Sequence, residues 1–131
     1  MRVCKLLHYA LSAALLPALA SCASASIASR KTLASGASMT LRPGERVDLP
    51  DGSTLGYVAV VADSRCPEKV QCIWAGDADL LFELAKGGDE ARKFHLHTGI
   101  EPKSFHADGH IIFLDAVTRG SAARATIRLN P

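Results

Sequence analysis

The chain is 131 residues long, 48% hydrophobic, and carries 15 Lys and Arg against 13 Asp and Glu. That length is enough for one ordinary domain. The near-even charge excludes the clustered basic face that nucleic-acid binding requires.

Arg2 and Lys5 precede an apolar run over residues 6–20, interrupted once by Pro17. The run is shorter than the ~20 residues a membrane-spanning helix needs and has no stop-transfer flank, so it reads as a cleaved export signal. It ends in Leu19-Ala20-Ser21-Cys22. This is the pattern of a lipobox, in which small residues admit a signal peptidase and the Cys22 thiol receives a diacylglyceryl group. Residues 1–21 are therefore expected to be a lipoprotein signal peptide, with Cys22 as the acylated mature N-terminus. The alternative is an ordinary secretory signal cut near Ala23-Ser24-Ala25. Each buried CH₂ contributes about 0.8 kcal/mol, so three acyl chains, palmitate among them, make the attachment to a membrane effectively permanent. Ala23 is not the Asp that retains lipoproteins at the inner membrane. The expected address is thus the outer membrane facing the periplasm, with the cell surface as the alternative. Loss of Arg2 and Lys5 with the signal brings the fifteen cations to thirteen, equal to the thirteen acids.

Residues 22–38 are rich in Ser and Ala, without apolar periodicity, and are expected to be the lipidated N-terminus and a flexible tether reaching on the order of 22 Å. Residues 39–131 are expected to form a single β-domain. Met39 and Leu41 alternate with polar residues up to a turn at Arg42-Pro43-Gly44-Glu45, and Val47 and Leu49 continue up to a turn at Pro50-Asp51-Gly52. Residues 55–63 are Val-rich and read as a central strand. Leu80, Phe82 and Leu84 share one face of the next strand, which Gly87-Gly88-Asp89 turns into a strand over residues 92–98. Residues 111–117 and 123–129 complete about seven strands. No segment after the signal has a helical period of useful length. The fold class is all-β, an antiparallel sandwich or a small barrel.

Cys4 leaves with the signal and Cys22 takes the lipid, which leaves Cys66 and Cys72 as a pair. In an oxidising compartment such a pair is most simply a disulfide, contributing about 2 kcal/mol by closing a short loop. A redox role would favour Cys-x-x-Cys, and a zinc site would need further ligands at characteristic spacing.

The pair lies in a distinctive segment, Asp63-Ser64-Arg65-Cys66-Pro67 followed by Cys72-Ile73-Trp74-Ala75-Gly76. Here the chain resembles a group of small bacterial secreted proteins and lipoproteins that share an Asp-Ser-Arg-Cys-Pro…Cys-Val-Trp-Ala-Gly pattern, with Ile73 replacing the usual valine. The resemblance implies a secreted β-domain and no chemistry. It also implies a proline-containing loop after residues 111–117, where this chain has Thr118-Arg119-Gly120-Ser121. Two readings apply to the segment. In the structural one, Trp74 covers the end of the core while Asp63 and Arg65 bond to each other. In the functional one, the stapled loop is a rigid recognition surface anchored by Asp63, Arg65 and Trp74, since Arg and Trp commonly anchor interfaces.

His95 and His97 are two apart and share a strand face, and His106 and His110 follow on a loop, so the four are candidate metal ligands. Lys93 shares the face of His95 and His97 while Phe94 and Leu96 take the other, which makes the histidine face the solvent face. Asp77 and Asp79 also share a face and read as the exposed edge of a strand. No nucleophile elbow, metalloprotease helix or phosphate-cradling glycine loop is present, so catalysis and a bound cofactor are not expected. The expected function is a non-catalytic, disulfide-stapled envelope lipoprotein that binds an envelope protein or serves structurally. The alternatives are a protease or lysozyme inhibitor presenting residues 66–72 and a histidine-based metal-binding module.

Overall fold

The computed structural model describes residues 30–131. The expected signal peptide, the lipobox with Cys22, and residues 23–29 of the expected tether lie outside the described residues. Nine strands make the fold: β1 (Lys31–Thr32), β2 (Ser38–Leu41), β3 (Arg46–Asp48), β4 (Ser53–Asp63), β5 (Ala78–Lys86), β6 (Arg92–His97), β7 (Ser104–Ala107), β8 (His110–Val117) and β9 (Ala125–Asn130). Among the described residues there is no helix.

The strands form two sheets, ordered β1-β3-β4-β5-β6 and β2-β9-β8-β7. All neighbours are antiparallel except β1, which runs parallel to β3. Each sheet keeps two free edges, so the fold is a sandwich and the barrel alternative does not apply. One core lies between the sheets, with Leu55, Tyr57, Leu80, Phe82 and Leu96 from the first facing Leu41, Ile112, Ile127 and Leu129 from the second. The period of two places them there. In β9, Ala125, Ile127 and Leu129 are fully buried while Thr126, Arg128 and Asn130 alternate outward. Full burial of a Leu, Ile or Phe contributes about 1.5–3 kcal/mol, and these side chains hold the two layers together.

An aromatic row crosses the core. Tyr57 stacks on Phe82 at 5.1 Å between ring centroids, Phe82 on Phe94 at 5.7 Å, and Phe94 on Phe105 of the other sheet at 3.8 Å. The Tyr57 hydroxyl donates to the Ala123 carbonyl at 2.9 Å, tying β4 to the segment before β9. Tyr57→Phe keeps the packing and leaves that buried carbonyl unpaired, so it is expected to lower the unfolding free energy by about 1–2 kcal/mol in urea melts.

Two strands lie outside the expected seven. The expected tether ends too late: Lys31 and Thr32 pair with Val47 and Asp48, and Leu33 is buried. Leu33 gains its place from β3, since its N–H donates to the Asp48 carbonyl. Strand β7 was also unforeseen. It pairs with β8 across the two-residue Asp108-Gly109 connection, with Ala107 opposite His110. His106 and His110 therefore sit on strands and not on a loop.

Candidate recognition hairpin

Residues 64–77 are the long tip of the β4–β5 hairpin. The ladder continues irregularly beyond Asp63 and Ala78, with the Ser64 N–H donating to the Asp77 carbonyl at 2.7 Å and the Cys66 N–H to the Ala75 carbonyl at 3.0 Å. Two bulges in β4 let its eleven residues match the nine of β5 and bring Asp63 opposite Ala78 at the base of the tip. Cys66 and Cys72 are joined by a disulfide, with their Cα atoms 5.8 Å apart. Between them the chain turns back on itself: the Val70 N–H donates to the Pro67 carbonyl, and Lys69 takes a left-handed conformation with φ of 65°.

Three contacts hold the tip's base. Arg65 forms a bidentate pair with Asp63, Nε to Oδ1 at 2.8 Å and Nη2 to Oδ2 at 2.6 Å. The same guanidinium donates to the carbonyls of Val117 and Thr118, both at 2.8 Å, so it also clamps the hairpin to the end of β8 in the other sheet. The hydrogen bonds from Arg65 outweigh burial and hold the Asp63 carboxyl down at about 2. At Gly76, φ is +73°, and a Cβ would collide with the Ser64 carbonyl and the Arg65 backbone. The two arms of the hairpin approach this closely because position 76 has no side chain.

On the other side, Asp77 fastens the 98–100 turn to the hairpin. Its carboxylate accepts from the Gly99 N–H at 2.7 Å, His97 Nδ1 at 2.7 Å and the Thr98 N–H at 3.0 Å. Burial raises the Asp77 pKa, but the Gly99 and His97 donors more than offset it, and the net shift is downward.

The structure separates the residues singled out from sequence. Trp74 does not cover the core: it is 82% exposed, and Ile73 beside it is 94% exposed. Asp63 and Arg65 do bond to each other, as the structural reading expected. Their charged groups are engaged with each other and, through Arg65, with the end of β8, which makes them a clamp at the base of the tip. Val61, Val70, Ile73, Trp74 and Ile100 are the large hydrophobic residues left exposed among the described residues. All five lie on the β4–β5 hairpin or on the loop that Asp77 ties to it. Ile73, Val70 and Ile100 were missed from sequence because an isolated Val or Ile in a loop carries no periodic signal.

His95 and His97 do share the outer face of the first sheet, each on a carboxylate: His95 Nδ1 on Asp79 and His97 Nδ1 on Asp77, both at 2.7 Å. Asp79 is not at an exposed edge, because β5 is paired on both sides, by β4 and β6. His106 and His110 belong to the other sheet, and the four histidines are not brought together. Among the described residues no group of three or more His, Cys, Asp or Glu is arranged to hold a metal. A depression of about 620 Å³ lies beside the hairpin, lined by Asp63, Arg65, Pro67, Glu68, Arg119 and Ser121. Its two inward charges, Asp63 and Arg65, neutralise each other, so neither is free for proton transfer.

Compared with known protein families, curated proteins and solved structures, the chain matches none.

Proposed function

We propose that this protein is an envelope lipoprotein, acylated on Cys22 and held on the periplasmic face of the outer membrane. Its β-sandwich acts as a non-catalytic recognition module with the β4–β5 hairpin tip as its binding element. The observation that carries this reading is Ile73 and Trp74, 94% and 82% exposed on a tip whose base is fixed by a disulfide, an arginine clamp and a glycine contact. Adjacent large apolar side chains held in water mark an interaction site, and a pre-ordered loop loses little entropy on binding. The arrangement weighs against substrate-like protease inhibition by residues 66–72. A protease cleft takes its peptide extended, whereas this segment is a closed turn with Lys69 left-handed.

Mass spectrometry of the mature protein tests the anchor and the staple together. The expected masses are those of a diacylglyceryl-modified Cys22 at the N-terminus and a Cys66–Cys72 bond. A different N-terminus or an unmodified Cys22 overturns the anchoring. The recognition role is tested by Ile73→Ser and Trp74→Ser, each expected to leave the unfolding free energy within about 0.5 kcal/mol of the parent. Each should also weaken capture of a partner from envelope extract by about tenfold or more, the cost of losing an apolar anchor. Unchanged capture by both variants overturns the assignment of the tip.

A further inference from the structure

We infer that the turn between β7 and β8 is a site of spontaneous backbone modification, where Asp108 converts to isoaspartate, while the chain's other Asp-Gly pair, Asp51-Gly52, is held unreactive. An aspartate followed by glycine is open to this chemistry because glycine puts no side chain in the way of its own amide nitrogen. The Gly109 nitrogen attacks Cγ of Asp108. A C–N bond forms, the carboxyl C–O bond breaks, and the hydroxyl leaves with the amide proton as water. Solvent water then opens the cyclic imide at either carbonyl. Opening at the main-chain carbonyl leaves the backbone running through the Asp108 side chain. Water is the only co-reactant.

The two pairs share a glycine conformation and differ in their surroundings. Gly52 and Gly109 take φ of +81° and +79°, and a Cβ on either would meet nothing within 4 Å, so the glycine does not set them apart. The polar groups do. The Gly52 N–H donates to the Leu49 carbonyl at 3.0 Å, which ties down the attacking nitrogen. Asp51 Oδ1 accepts from the N–H of Ser53 at 3.0 Å and from its hydroxyl, and Oδ2 accepts from Lys86 at 3.3 Å. Burial raises the Asp51 pKa, but the Ser53 and Lys86 donors outweigh it, so the acid form that reacts is scarcer than in an ordinary aspartate. Asp108 and Gly109 are both exposed, and among the described residues neither the carboxylate nor the N–H has a hydrogen-bond partner. No bond of either group has to open before they meet. The product carries one extra main-chain atom in a two-residue turn that sets Ala107 opposite His110. Strand β7 has β8 as its one neighbour in the sheet, so the modification loosens an edge strand.

Ageing the folded protein at mildly acidic pH tests this, with peptide maps from a protease that cuts before aspartate but not before isoaspartate. The expected result is loss of cleavage at Asp108 with no net change in mass, preceded by a species lighter by one water. Loss at Asp51 should be slower by about tenfold or more, because its bonds must open first. In urea the two rates should converge, and Asp108→Glu should abolish the change at position 108, since the longer side chain closes the ring far less readily. Equal rates at the two positions in the folded protein overturn the inference, as does an unmodified Asp108 there. A difference that persists undiminished in urea also overturns it, because local sequence and not the folded surroundings would then set the rates.

Discussion

Arg65→Ala is expected to lower the unfolding free energy by about 3 kcal/mol, measured by urea denaturation at neutral pH. The guanidinium makes a bidentate pair with Asp63 and reaches two carbonyls on β8, so its loss leaves one carboxylate and two carbonyls without their partner. The ion pair is partly open to water and contributes about 1 kcal/mol by itself. The two β8 carbonyls, each accepting a charge-assisted hydrogen bond worth about 1 kcal/mol or more, account for the rest. Arg65→Lys should recover less than half of the loss, because an ammonium cannot span a carboxylate and two carbonyls in one plane. The same pair sets an acid limb. With the Asp63 carboxyl depressed from 3.8 to about 2 in the folded state, the unfolded chain binds protons more readily in acid. Its stabilisation is therefore complete above about pH 4 and disappears as the pH falls through 2. The Arg65→Ala variant should lose the part of that limb which Asp63 supplies.

Gly76→Ala is expected to cost a comparable amount, about 3 kcal/mol, and to disturb the hairpin tip. Holding alanine at a left-handed φ costs roughly 1–2 kcal/mol. The added methyl must also push away the Ser64 carbonyl and the Arg65 Cα, which the Ser64 N–H to Asp77 carbonyl bond and the Arg65 clamp hold in place. Yielding there breaks at least one backbone hydrogen bond, a further loss of about 1 kcal/mol. Gly52→Ala is the control. Its φ is +81°, yet a Cβ there meets nothing within 4 Å, so only the conformational cost remains. Equal losses for the two variants would show that the close approach at position 76 contributes nothing.

Local pattern made the all-β class and most of its strands legible, while the choice between sandwich and barrel came only with the sheet order. Alternation in β9 and β5, the glycine turn at 87–88 and the Phe94/Leu96 side of β6 all appear in the structure as read. The Cys66–Cys72 bond followed from compartment and elimination, and it too is present. What was not legible depends on distant partners. The acceptors of Arg65 are more than fifty positions away, at Val117 and Thr118, and nothing near Arg65 announces them. Because they are backbone carbonyls, the absence of a proline-containing loop there does not prevent the clamp. In the structural reading Trp74 was to cap a core that the two sheets already close without it. Strand β1 depends on β3 and had no pattern of its own. Strand β7 did carry one usable sign, the Asp-Gly dipeptide between two short runs.

The pairing of β2 with β9 has a consequence for when the domain can form. Ser38 lies opposite Arg128 and Leu41 opposite Ala125, so the earliest strand of the second sheet waits for the last. β8 likewise needs β9 as its neighbour on one side. The first sheet from β3 to β6 can assemble as the chain appears, by successive local hairpins, but until β9 arrives it has only the β7–β8 hairpin to bury against. Contacts of such long sequence separation make folding slow and late. The chain can thus be made, or threaded through a pore, almost to its end before it commits to a compact form.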